Sequence, residues 1–187
     1  MGIPDWNSVG VVPPIDPVDP TGPERSRYLV SLVDVVLKFG ISPERLSILA
    51  GLLRLRAALH LVGISKGFQW LDGSFLERIE VIESRVPEDI DVVTFVESTG
   101  GLSLTPENEW CVDHDLVKAS CHVDHYIEEM DQIPLRMLVS RAAYWYSVWS
   151  HRRSQLWKGF LQIDLSPTDD ATANSILMSL REVGEQS

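Results

Sequence analysis

The sequence predicts an α/β (α+β) domain, a mixed sheet flanked by helices, on three observations. Short β-prone runs at 68–71, 90–96 and 160–165 alternate along the chain with longer runs of helical apolar spacing at 24–39, 42–62 and 135–149. Hydrophobic residues make up 44% of the 187, enough to bury one core. No internal repeat or low-complexity run suggests a solenoid or a disordered chain.

Each element has its own local reason. Residues 1–23 hold six of the eleven prolines, including Pro13-Pro14, so this segment is expected as an extended arm lying over a single domain at 24–187. Thr21 and Glu24 have capping-box spacing, and Tyr28, Leu29, Leu32, Val33, Val36 and Leu37 recur at helical intervals, which predicts a first helix over 24–39. Ser42-Pro43 supplies a cap and a first-turn proline for a second helix, with Leu46, Leu49, Leu53, Ala57 and Leu61 as its buried stripe. On this reading two helices precede the first strand.

The run 68–71 ends at Asp72-Gly73 as a short strand, and 90–96 is a second strand, richer in β-branched residues. A helix over 110–119, a strand over 121–127, a long aromatic-rich helix over 135–149 and a strand over 160–165 follow. Thr168 or Asp169 caps a last helix reaching about residue 181.

Charge narrows the function classes. Sixteen Lys and Arg stand against 27 Asp and Glu, a net charge of -11, which argues against non-specific DNA binding. The apolar stretch 46–64 is broken by Arg54, Arg56 and His60, so it predicts a packed helix and no membrane partner. Two cysteines and an N-terminus without a basic, then apolar, leader predict a cytoplasmic protein, and Trp6 stands where a myristoylation signal wants Ser or Thr.

The chemistry concentrates in Asp72-Gly73-Ser74 and Pro87-Glu88-Asp89-Ile90-Asp91-Val92. Residues two apart on a strand share a face, so Asp89 and Asp91 present both carboxylates together while Ile90 and Val92 turn to the core. Two like charges held so close call for a cation, and Mg²⁺ (or Mn²⁺) binds through one or two carboxylates plus substrate phosphates. Gly73 lets backbone approach a phosphate, and Ser74 adds a hydroxyl beside main-chain N–H groups. Asp124 in the 121–127 strand is the candidate third carboxylate, with Asp164 in reserve.

These residues resemble the nucleotidyltransferase superfamily of the DNA-polymerase-β type: a hydrophobic residue, Gly, Ser, a spacer, then Asp, hydrophobic, Asp, hydrophobic. The extra Asp72 and the fourteen-residue spacer depart from that pattern. The chain more closely resembles an uncharacterised group of small bacterial nucleotidyltransferase-like proteins, through Val12-Pro13-Pro14, Trp70-Leu71-Asp72-Gly73-Ser74-Phe75, Pro87-Glu88-Asp89-Ile90-Asp91 and Trp157-Lys158-Gly159. The resemblance implies a nucleotidyltransferase-like sheet with Asp89, Asp91 and Asp124 as metal-binding, catalytic carboxylates and Gly73 and Ser74 on the triphosphate. Lys158 and Arg152 are the candidates to neutralise phosphate charge.

The expected reaction is transfer of an NMP from an NTP, ATP first among them, to a hydroxyl of a protein, RNA or small molecule. Small relatives of this kind suggest a toxin–antitoxin or phage-defence (antiviral) setting. The alternative is a catalytically inactive, antitoxin-like protein of the same fold that uses its acidity to bind a basic partner.

Other patterns have plainer explanations. Cys111-x-x-His114 and Cys121-His122-x-x-His125 have zinc-like intervals, but strand alternation would put His122 and Asp124 on the face opposite Cys121 and His125. His151-Arg152-Arg153 suits a solvated helix end as well as an anion site. The aromatics at 144–149 suit core packing before base stacking.

Overall fold

The computed structural model describes residues 2–97, 101–131 and 133–185. It is a mixed α/β domain, with a five-stranded sheet and six helices. The strands are β1 (Tyr28–Leu29), β2 (Gly67–Asp72), β3 (Ile90–Val96), β4 (Val123–Glu129) and β5 (Leu161–Asp164), in the order β1-β5-β2-β3-β4. The helices are α1 (Leu32–Phe39), α2 (Pro43–Leu61), the single turn α3 (Ile79–Ile82), α4 (His114–Cys121), α5 (Leu135–Trp149) and α6 (Asp170–Glu185). β2 runs antiparallel to both β3 and β5; β3 with β4, and β1 with β5, are parallel.

β3 and α5 have the expected limits, β2 and β5 differ by a residue or two, and α6 runs past 181. The first helix is a correction. Its capping box is Ser31 with Asp34: the Ser31 hydroxyl accepts from the Asp34 N–H while the Asp34 carboxylate accepts from the Ser31 N–H. The competing spacing at Thr21 and Glu24 lies in a turn, closed by the Asp16 N–H donating to the Glu24 carbonyl and by an Ile15–Arg25 bridge. Residues 28–29 pair with β5, so a strand precedes both helices.

α2 starts as expected, with the Ser42 hydroxyl accepting from the Arg45 N–H and Pro43 in its first turn. Its burial goes beyond one stripe. Leu46, Leu49 and Leu53 are buried with Ile48, Leu52, Leu55 and Leu59, whereas Ala57 and Leu61 face out. α2 is flanked by α1, α4 and α6, which leaves little of its circumference to solvent.

That helix also buries Arg45 and Arg56 completely. Arg56 donates to Asp170, to the Gln69 side chain and to the carbonyls of Asp164 and Ser166, so its charge is matched and its donors are used. A polar row continues across the strands as Gln69 donates to Thr94, whose hydroxyl bonds the His125 ring. Burial pushes the His125 pKa down to about 3, so this row is neutral at its far end.

This is the face of the sheet covered by α2. On the opposite face, Phe68, Trp70 and Phe95 pack with Phe160, and Trp145 and Trp149 of α5 close over Tyr126 and Phe160. Part of the N-terminal segment packs on the domain. Val11 and Val12 are buried, the Trp6 indole donates to the Leu76 carbonyl, and the Gly159 N–H donates to the Val12 carbonyl. No described helix is long and apolar enough to cross a membrane.

Candidate functional site

Register builds the site. Asp72 pairs with Asp91 across β2 and β3, and Asp91 pairs with Asp124 across β3 and β4. Directly opposed residues share a face, so three carboxylates form a row on the face opposite α2, at the point where the apolar row Trp70, Val93, Tyr126 ends. Asp89 stands two residues before Asp91, just outside the strand, while Ile90 and Val92 are fully buried as expected.

Gly73 leaves β2 at φ +89°, ψ -177°, a backbone conformation open in practice to glycine alone. A Cβ there would lie 3.0 Å from an Asp91 carboxylate oxygen, so any side chain would crowd both the turn and the aspartate. Ser74 then opens a 3-10 turn. Arg45 fixes that turn from beneath, donating to the carbonyls of Phe75 and Glu77 at 2.6 and 2.7 Å while pairing with Glu80.

All seven residues selected from the sequence, Gly73, Ser74, Asp89, Asp91, Asp124, Arg152 and Lys158, line one cleft of about 800 Å³. Asp164 does not: it ends β5 with its carboxylate capping Ser166, which removes it as a third acid. Asp72, Glu77 and Lys118 join the cleft without having been selected. Asp72 had a signal, because an antiparallel hairpin ladder opposes it to Asp91. Glu77 had none, since its partner Lys158 is far away in sequence, and Lys118 joins Asp124, six residues on, only once the α4 cap and β4 are in place.

The charges are paired in two groups. Lys158 Nζ lies 3.0 Å from Asp72 Oδ1 and 3.1 Å from Glu77 Oε1, and Arg152 reaches Glu77 and Glu83. Lys118 Nζ lies 3.1 Å from Asp89 Oδ2 and donates to Asp124. Among the described residues no ion pair or side-chain hydrogen bond reaches Asp91.

Burial, followed by the charges of Asp89 and Asp124, pushes the Asp91 pKa up to about 6. Burial does the same to Asp72, up to about 7, against the pull of Lys158. Burial alone would lower Lys158, but Asp72 and Glu77 outweigh it and hold the ammonium above its ordinary value. Lys118 is raised chiefly by its hydrogen bond to Asp124. Lys158 is therefore a fixed counter-ion on the Gly73 side of the cleft, a more committed role than the phosphate contact expected of it.

The donor set fits a hard divalent cation. Seven carboxylates line the cleft against five lysine and arginine side chains, an excess of two negative charges. Asp72 Oδ1, Glu77 Oε2 and Asp124 Oδ1 are buried without an aligned hydrogen bond, even though nitrogens of Lys158, Arg152 and His114 lie near them. Such acceptor-only oxygens are what Mg²⁺ or Mn²⁺ takes as ligands.

Among the described residues no three His, Cys, Asp or Glu groups are gathered as a ready cage. A zinc cage finds even less support. Cys111 and Cys121 are buried and free, Cys121 ends α4 and His122 is its left-handed cap, not part of a strand as expected. His125 is bound to Thr94, and His114 bonds the His125 carbonyl.

Fold and cleft together define a mixed α/β domain with an acidic cleft at one end of three adjacent strands, beside a glycine turn. The chain belongs to a family described as a family of unknown function, DUF6932, whose model matches residues 4–164, from the arm through β5. No curated protein and no solved structure matches it.

Proposed function

We propose that the protein is a metal-dependent nucleotidyltransferase that moves an NMP from an NTP to a hydroxyl group of a protein, RNA or small molecule. The observation that carries this reading is the row Asp72, Asp91, Asp124, with Asp89 beside it, facing the Gly73-Ser74 turn across one cleft. Asp89, Asp91 and Asp124 would hold Mg²⁺ or Mn²⁺, which when bound supplies charge neutralisation and polarises phosphate oxygens.

The chain's own groups do the rest. Gly73 leaves room for the triphosphate to approach backbone, and the Ser74 hydroxyl lines the same wall. Arg152 and Lys158 hold positive charge there through fixed ion pairs, and Arg153, exposed at the same mouth, is available to outer phosphate oxygens. The acceptor oxygen attacks the α-phosphorus, pyrophosphate leaves, and the hydroxyl proton passes to a cleft carboxylate, for which Asp124, at the margin of the row, is placed.

The test is incubation of the purified full chain with α-labelled NTPs, Mn²⁺ and a cell lysate. Label should move to a product, and Asp89→Ala with Asp91→Ala should lower the rate on the order of 10³-fold. No transfer, or transfer unchanged in that double variant, would favour the non-catalytic reading, an acidic protein of the same fold that binds a basic partner.

A further inference from the structure

We propose that Lys118 is a displaceable counter-ion: its ammonium fills the cation seat between Asp89 and Asp124 and would give that seat up to a divalent ion. This rests on the metal-nucleotide reading of the cleft. The geometry distinguishes Lys118 from the other lysine of the site. Lys118 Nζ bridges Asp89 and Asp124 on a side chain that is 45% exposed, whereas Lys158, bridging Asp72 and Glu77, is 6% exposed.

Their backbones are both fixed, so the difference lies in the side chains. α4 is seated on α2 where Gly51 meets the Cys121 carbonyl; a Cβ at Gly51 would fall 1.7 Å from that oxygen. The N-terminus of α4 is capped by Asp113, which accepts from the Leu116 N–H. The Lys118 stem leaves this firm base into solvent, so its four-carbon chain can swing without moving the helix. The main chain of Lys158, in contrast, is tied on both sides, its own N–H to Ser150 and the Gly159 N–H to Val12, and its ammonium has no open path.

An ammonium is a monovalent stand-in for a divalent ion. It satisfies Asp89 and Asp124 in part and keeps their repulsion from spreading β3 and β4 while no metal is present. Entry of the metal then has to break both contacts of Lys118, so the resting affinity for metal is lower than the bare carboxylates would give. Asp91, which no lysine or arginine pairs with, would be the further carboxylate available to the ion.

The direct test is titration of the purified full chain with Mn²⁺ alone, following free Mn²⁺ by electron paramagnetic resonance. Wild type, Lys118→Met, Lys118→Gln and Asp89→Ala with Asp91→Ala are compared at low ionic strength. Both Lys118 variants should bind Mn²⁺ at least about tenfold more tightly than wild type, because a competing charge has gone, and the double aspartate variant should not bind it. If wild type binds Mn²⁺ through the aspartates and both Lys118 variants bind equally or more weakly, Lys118 only positions the acids and the counter-ion proposal is overturned. If neither wild type nor the Lys118 variants bind Mn²⁺, the metal reading itself fails and the proposal falls with it. The far-ultraviolet circular dichroism of each variant reports that α4 is intact.

Discussion

Asp91→Asn should abolish nucleotide transfer and at the same time make the protein more stable at pH 8. The two effects have one origin. Asp91 lies in the middle of the acidic row, opposed to Asp72 and Asp124, with its pKa raised to about 6 by burial and by Asp89 and Asp124. A carboxylate whose pKa rises on folding binds its proton more tightly in the native state, so its contribution to stability is best below the unfolded value of 3.8. It worsens as pH climbs through the window up to about 6.

Asparagine has no such titration. Relative to wild type, Asp91→Asn should therefore show little difference near pH 4 and a gain on the order of 2 kcal/mol at pH 8, about 5 °C in Tm, in the absence of divalent ions. Thermal melts of both proteins across this range, read by circular dichroism, check it. Equal pH profiles would mean that Asp91 carries no repulsive load. Adding Mn²⁺ should narrow the gap by stabilising only the wild type.

Arg45→Met should be the most destabilising change near the site that touches no proposed ligand. Arg45 is fully buried, and removing its guanidinium strands the carbonyls of Phe75 and Glu77 and unpairs Glu80. The loss should be about 3–5 kcal/mol, measured by urea unfolding. Because those carbonyls belong to the turn that follows Gly73, the native fraction should also bind nucleotide more weakly. A loss below about 1 kcal/mol would show that the turn holds itself.

Local features were legible in the sequence, and distant pairings were not. Ile90–Val96 and Leu135–Trp149 carry their periodicity within a few residues, so β3 and α5 could be placed to the residue. Gly73, Ser74, Asp89 and Asp91 stood out because turn chemistry and strand alternation are likewise local. Asp124 was chosen by position, as the acid of a later strand, and that strand begins two residues later than expected, after the α4 cap at His122.

The first helix was misplaced because two sites had box spacing, and the choice between them depends on β1 pairing with β5, far along the chain. Arg56 was read only as a break in an apolar stretch and Arg45 gave no signal; their burial depends on carbonyls and carboxylates supplied by other elements. Lys118, Glu77 and the fixed role of Lys158 are of the same kind, since a charge gives no sequence sign of its partner when that partner comes from another strand or loop.

The most direct measurement is a crystal structure of the protein with Mn²⁺ and a non-hydrolysable NTP analogue. Anomalous density should place manganese on Asp91 with Asp89 or Asp124, the triphosphate should lie against Gly73 and Ser74, and Lys158 should remain on Asp72 and Glu77. Nucleotide or manganese bound away from this row, or a cleft that takes up neither, would contradict the account.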